Sequence, residues 1–348
     1  QPPADPAAAA AAAAATIDSL ISINNQLGLP DAAAGILAHY RKARPGAQIR
    51  EEWYEKLGRW GDARDAYKVR QAENPREIHW ALGRLRCEHA LGEWKDLSGL
   101  AAEVWAAPHL GPDSDARAEV ARLGAAGAWN LRQWGAMAEY VGAMGEGDEE
   151  STFYRAVLAT RAGRWGEARS LIDAARRGAD SELTALVRES YHRAYRVVVR
   201  VEQLAELEEV ILHLERPALL PLPRLLQMWR GRLSLAQRDS TVWQQLITVR
   251  ELVAPPEVDL PTHLKFASLC RKSGRRALAH NLLARLLGPA AQAEVERAAE
   301  AGVPPSLEIL SAECSPAVVL AAAKQLWERG AREAALRTVA DFVDDPRV

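Results

Sequence analysis

The clearest pattern early in the chain is a helix, a tight turn and a second helix. Apolar Trp53 and Leu57 are about one helical turn apart, and Gly58 interrupts the pattern directly after them. Ala63 and Tyr67 then restart an apolar stripe at i, i+4 spacing, which places both side chains on one face of a helix. This order predicts an α-hairpin whose apolar face must be covered by a neighbouring hairpin.

The same turn recurs along the chain. Counted from positions 58, 92, 132 and 163, the first four turns are 34, 40 and 31 residues apart, the period of helical-hairpin repeats. The five further turns are Leu91-Gly92-Glu93-Trp94, Leu131-Arg132-Gln133-Trp134, Ala162-Gly163-Arg164-Trp165, Ser273-Gly274-Arg275-Arg276 and Arg329-Gly330-Ala331-Arg332.

The positions five and nine residues after each turn are apolar and are expected to form the buried stripe of the second helix. The former are Ala63, Leu97, Met137, Ala168, Ala279 and Ala335, and the latter are Tyr67, Ala101, Val141, Ile172, Leu283 and Val339. Two weaker units are expected between the fourth and fifth turns. One has a second helix over 204–211 after a degenerate turn near Gln203, and the other has a helix over 242–247 after Gln237-Arg238.

Strand signals are nearly absent, and the Val197-Val198-Val199 run continues a helical pattern. The sequence therefore predicts an all-α fold, an α-solenoid of tetratricopeptide- and HEAT-like helical hairpins over residues 16–348. Residues 1–15, rich in proline and alanine, are expected to be a disordered linker. An apparent second helix close to Val348 has no polar capping helix after it, which suggests a fragment of a longer chain.

Composition narrows the classes of partner. The net charge of −2 gives no general attraction to nucleic acid or to an anionic membrane. No apolar run is long enough for a transmembrane helix, and no basic segment precedes the alanine run as in a signal peptide. The three cysteines are isolated in sequence, which argues against a disulfide framework and favours a protein of a reducing compartment.

Motifs for catalysis and for metal binding are missing from the sequence. There is no GxGxxG or GxxxxGK[ST] loop, no kinase HRD or DFG signature and no HExxH motif. We therefore expect no catalytic residue, no metal site, no required cofactor and no enzyme activity within this chain.

Four of the eleven tryptophans, Trp60, Trp94, Trp134 and Trp165, occupy the same position after a turn. They could form a ladder that stacks bases or binds a peptide. Because their recurrence has the period of the fold, packing between hairpins is the preferred interpretation.

One basic cluster remains as a candidate binding site. Lys265 and Lys272 are seven residues apart and so share a helix face, roughly 10 Å from each other along the helix. Arg271, Arg275 and Arg276 follow at the turn, where a helix beginning near Arg275 would add free backbone N–H groups. Arg238 and Lys324 are in flanking units, so stacking could bring these charges into one pocket for a polyphosphate. A solvated basic face is the alternative.

Several long stretches resemble the FAT domain of target of rapamycin (TOR) kinases, which belong to the phosphatidylinositol-3-kinase-related kinase family. The resemblance covers about 17–288 well and 306–343 loosely, and it does not include residues 1–15. The stretches that carry it are 19–25, 31–35, 53–57, 153–159, 204–211 and 267–275.

The resemblance implies a helical scaffold that clamps a Ser/Thr kinase domain outside this chain and supports assembly of the TOR complex in growth and nutrient signalling. It also implies an inositol hexakisphosphate pocket, with Arg238, Lys265, Lys272 and Lys324 at positions that match basic residues of the family. Glu328 stands where a second basic side chain would follow Lys324, and this carboxylate would weaken the local field.

The expected partners are the kinase domain of the same parent protein and the TOR complex subunits, with a dimeric parent and no nucleic acid. The resemblance implies a cytoplasmic location without direct membrane insertion, and recruitment of the parent to endomembranes. The alternative function, based on the repeats alone, is a free-standing tetratricopeptide-like adaptor that binds peptide partners.

Overall fold

The computed structural model describes residues 6–27, 29–43, 49–108, 110–111, 114–145 and 147–344, and within these ranges all regular structure is α-helical. The chain divides into two compact units, residues 1–144 and 145–348. The helices of the first unit are α1 (Pro6–Gln26), α2 (Pro30–Ala43), α3 (Glu51–Lys56), α4 (Trp60–Glu73), α5 (Ile78–Leu91), α6 (Trp94–Trp105), α7 (Asp115–Asn130) and α8 (Trp134–Ala143).

The helices of the second unit are α9 (Glu149–Arg161), α10 (Trp165–Leu186), α11 (Tyr191–Glu215), α12 (Leu222–Leu235), α13 (Ser240–Arg250), α14 (Leu260–Lys272), α15 (Arg276–Leu286), α16 (Pro289–Ala301), α17 (Leu307–Glu313), α18 (Pro316–Glu328) and α19 (Arg332–Val343). None of the helices in the described ranges combines the length and the apolarity needed to cross a membrane.

Stacked hairpins make up both units, as predicted for a helical-repeat protein. The two helices on either side of each predicted turn pack against each other, and helices two apart along the chain also meet, as α5 does with α7 and α11 with α13. Arg86 on α5 shows how polar contacts reinforce this stacking. Its guanidinium donates to Glu55 on α3 and to Glu119 on α7, each at 3.0 Å, and so links three successive hairpins.

All six turns identified in the sequence have the same backbone geometry. Gly58, Gly92, Gly163, Gly274 and Gly330 have φ between 67° and 95°, and Arg132 has φ 61°. The N–H of the following residue donates to the carbonyl five positions earlier, as Arg59 does to Tyr54 at 2.9 Å and Gln133 to Ala128 at 2.8 Å. This 6→1 hydrogen bond is that of a Schellman motif, which ends one helix and directs the chain into the next.

The predicted stripe is buried at eleven of its twelve positions. At the five-residue position exposure is between 0% for Ala63 and 9% for Ala279, and at the nine-residue position five side chains are at most 3% exposed. Val339 is the exception, since 37% of its surface is exposed, and so burial was wrongly predicted there. The four turn tryptophans are half-buried, as expected for packing between hairpins.

Two expectations differ from the structure. The turn near Gln203 is absent because α11 runs without a break from Tyr191 to Glu215 and includes residues 204–211. Residues 6–15 are helical in α1 rather than part of a linker, and alanine, which fills most of this stretch, has the highest helix propensity. Residues 1–5 lie outside the described part of the chain. The helix expected over 242–247 is confirmed as part of α13.

Candidate functional site

The basic cluster surrounds the hairpin of α14 and α15. Pro261 lies in the first turn of α14, where its missing N–H costs no helical hydrogen bond, and the helix ends at Lys272 before the left-handed Gly274. Lys265 and Lys272 are both exposed on this helix, two turns apart on one face.

Arg238 lies close to this turn because the start of α13 contacts it. The Ser273 hydroxyl donates to Ser240 at 3.4 Å, and Arg275 donates to the Thr241 hydroxyl at 2.8 Å. Arg238 precedes Ser240 by two residues, and Lys272 directly precedes Ser273. The structure therefore brings Arg238 and Lys272 to one edge of the second unit.

Lys324 belongs to another helix of the second unit. It lies on α18 and lines a cavity of about 520 Å³ between α14, α15 and α18. Arg238, Lys265 and Lys272 do not line this cavity, and Lys265 and Lys272 lie roughly a quarter-turn around α14 from the side chains that do. Of the four predicted residues, Lys324 is thus the one that lines the cavity.

The cavity has an apolar floor and a charged mouth. Its buried or half-buried floor includes Leu264, Ala267, Ala279, Leu283 and Ala321. Its more exposed mouth includes Arg271, Arg276, Lys324, Glu328 and Arg329. Four cations therefore face one carboxylate among the residues that line it.

Glu328 pairs with Arg271 across the mouth, with a guanidinium nitrogen 2.5 Å from a carboxylate oxygen. Within the described residues no carboxylate oxygen lies within 4.0 Å of the charged nitrogens of Arg276, Lys324 or Arg329, nor of Arg238, Lys265 or Lys272. The carboxylate expected to weaken the field next to Lys324 is thus paired with Arg271.

Among the cations that line the cavity, Arg329 is the one that the sequence placed at a turn but not in the basic cluster. It directly precedes Gly330, as Ser273 precedes Gly274. Helices α14 and α18 pack together, and so do α15 and α18. The shared repeat position of the two turns was the signal that could have placed Arg329 near the α14–α15 hairpin.

His280 is the titratable ring that lines the cavity, and its contacts are structural. Its Nδ1 is 2.5 Å from the Gln325 side-chain amide, and its Nε2 is 3.7 Å from a carboxylate oxygen of Glu296. These contacts hold the ring between α15, α16 and α18. With four cations among its lining residues, the cavity as a whole is suited to binding anions.

The most perturbed carboxylate of the second unit lies in the core and away from this cavity. Glu206 on α11 is fully buried and accepts hydrogen bonds from Arg250 on α13 at 2.8 and 2.5 Å. Burial raises the pKa of Glu206 to about 7, while Arg250 opposes the shift. The pair connects two neighbouring hairpins.

Comparison with known proteins gives a consistent result. The sequence profile of the FAT domain matches residues 121–345. The chain is 43% identical over 296 residues to the Serine/threonine-protein kinase TOR of Oryza sativa subsp. japonica, and this alignment covers 78% of the chain and 12% of the relative. It is 39% identical over 331 residues to the Serine/threonine-protein kinase TOR2 of Saccharomyces cerevisiae, which covers 94% of the chain and 13% of that relative.

Proposed function

Because this chain belongs to the FAT-domain family, we propose that it is a regulatory scaffold segment of a TOR-type Ser/Thr kinase, clamping the kinase domain. The observation that supports this most is the extended identity to TOR kinases over most of the chain. The chain spans about one eighth of the length of these relatives. We accordingly propose that the parent protein, and not this chain, is the enzyme. Its activity would be that of a non-specific Ser/Thr protein kinase.

Stiffness is what a clamp requires, and the contacts between hairpins support it. In the first unit Arg86 joins α3, α5 and α7, and in the second unit Glu206 and Arg250 join α11 and α13. Of these contacts the Glu206–Arg250 pair is buried, and removing one partner of a buried ion pair destabilises a protein strongly, so this pair favours one arrangement of α11 and α13. A stack of this kind can restrain a domain that binds along it.

The proposed partners follow from the same membership. They are the kinase domain of the parent protein and the TOR complex subunits, with the parent acting as a dimer in the cytoplasm or recruited to endomembranes. Neither nucleic acid nor membrane insertion has a role in this proposal.

Binding between the purified chain and the separately produced kinase domain of its parent tests the clamp. We expect the two to co-elute in gel filtration and the kinase domain to exchange its amide hydrogens more slowly in the mixture. An unrelated helical-repeat protein of similar length is the control. Separate elution at concentrations of both proteins well above the micromolar range would contradict the proposal.

The unpaired cations of the second unit support a further part of the proposal, a structural inositol hexakisphosphate site. Arg238 and Lys272 lie next to residues that contact each other, Lys265 is two turns from Lys272, and Lys324 lines the nearby cavity. Ammonium and guanidinium groups without carboxylate partners suit clustered phosphates. A ligand that binds only the folded chain stabilises it by mass action, by about 2.7 kcal/mol at one hundred times its Kd.

Thermal unfolding with inositol hexakisphosphate tests this site. We expect the ligand to raise the Tm of the natural chain at low salt, and K265E with K272E to abolish the shift. The matched control is K42E with K95E, which makes the same charge change at exposed lysines of the first unit and should keep the shift. Absence of a shift in the natural chain would rule out the site.

A further inference from the structure

Part of the lining of the cavity between α14, α15 and α18 is apolar and would not be contacted favourably by a polyphosphate. Its volume of about 520 Å³ falls within the range of about 300–1,000 Å³ typical of small-molecule sites. Leu264, Leu283 and three alanines form its floor. A ligand that is charged on every side would leave this apolar surface uncovered or would lose hydration against it.

The mouth of the cavity selects for negative charge. Arg276, Lys324 and Arg329 have no carboxylate partner within the described residues, and Arg271 is held by Glu328. Arg276 and Ala277 also begin α15, whose first turn has no side-chain cap, so the partly positive end of this helix lies at the same edge, with the Arg276 N–H itself donating to the Gly274 carbonyl at 2.9 Å. An anionic group at the mouth would therefore meet complementary charge.

We propose that this cavity binds an anionic amphiphile, a small molecule with one carboxylate, sulfate or phosphate group and an apolar chain or ring. The apolar body lies between α14 and α18 on the floor, and the anionic group is bound by Arg276, Lys324 and Arg329. Glu328 keeps Arg271 neutralised and so limits the charge that the mouth can accept.

The amphiphile site overlaps the proposed polyphosphate site at one residue but can be tested separately from it. The two share Lys324, but Lys265 and Lys272 do not line the cavity, and Ser268 lines the cavity on α14 without belonging to the predicted polyphosphate residues. Substitutions at these positions therefore separate the two sites.

Titration calorimetry with decanoate below its micelle concentration tests the proposal, with decanol as the neutral analogue. We expect decanoate to bind once per chain and decanol to bind at least tenfold more weakly. S268W, which fills the cavity, and R276E with K324E, which reverse its charge, should each weaken decanoate at least tenfold. K265E with K272E is the control and should leave decanoate affinity within twofold.

Three results would overturn the proposal. They are no saturable binding of decanoate, unchanged affinity in S268W, and equal affinity for decanol. The last would favour an apolar occupant such as a side chain from another protein segment. Each variant is first checked for an unchanged helical circular-dichroism spectrum, and A317W on the exposed first turn of α18 replaces S268W if that variant does not fold.

Discussion

Single residues decide where the helices of this chain end. Five glycines and Arg132 occupy the left-handed region at corresponding turns, where a residue with a Cβ is strained. Arg132 is held there by its own contacts, since its guanidinium lies 4.7 Å from the ring centroid of Trp129 and 5.6 Å from that of Trp134. Cation–π attraction thus offsets some of the backbone strain.

G163A should lower the free energy of unfolding by about 1 kcal/mol, because alanine resists the φ of 72° at this turn. The control is G166A, two residues into α10, where an added Cβ meets nothing within 4 Å and the backbone is helical. That variant should be unchanged or slightly more stable. Denaturant unfolding followed by tryptophan fluorescence measures both, and equal destabilisation would contradict the assignment of the turn.

Glu206 should make stability depend on pH. Its pKa in the folded chain is about 7, raised from 4.5 mainly by burial. Between these values the folded state holds a proton that the unfolded state has lost, so the free energy of unfolding falls as pH rises from about 4.5 to about 7. E206Q removes this group, and its unfolding midpoint should fall less over the same range. Parallel curves for the two proteins would show that Glu206 titrates normally.

At the scale of helices, close packing of one helix against the next depends on small residues. An added Cβ on Gly83 of α5 would lie 2.4 Å from the ring of Tyr67 on α4, and one on Gly124 of α7 would lie 2.8 Å from the ring of Tyr140 on α8. In both pairs the aromatic ring belongs to a second helix and lies against a first helix. These contacts explain why glycine occurs in the middle of helices despite its poor propensity.

G83A should therefore destabilise the chain by about 1–3 kcal/mol, because the buried Tyr67 ring must move. G99A on α6 makes the same change where nothing lies within 4 Å, and it should be neutral or stabilising. The denaturant midpoint distinguishes the two. A G83A midpoint equal to that of the natural chain would show that the packing is looser than described.

The hairpins could be predicted from sequence wherever the turn residues were distinctive. Glycine followed two residues later by tryptophan or arginine marked five of the six turns, and Arg132 was found by its place in the pattern. Around Gln203 neither glycine nor proline interrupts the chain, so the sequence already favoured the continuous α11, and the turn predicted there was wrong. Burial at Val339 was predicted wrongly because periodicity does not reveal whether a neighbour covers a position.

At the scale of the molecule, the sequence predicted a cluster of basic residues but not which of them line the cavity. Spacing placed Lys265 and Lys272 on one face, and the structure confirms that they share α14. The cavity next to Lys324 could not be predicted because its walls come from three helices that bring together residues far apart in sequence, such as Arg271 and Glu328, which are 57 positions apart. The cavity forms because α18 packs against α14 and α15, although α16 and α17 lie between them in sequence.

The central proposal is that this chain acts as the scaffold of a kinase domain within one polypeptide. The most direct measurement is the size and peptide content of the native protein, isolated with an antibody raised against residues 53–67. We predict a polypeptide several times larger than 38.1 kDa whose peptides include a Ser/Thr kinase domain. A native protein close to 38.1 kDa without kinase peptides would contradict the account and favour a free-standing adaptor.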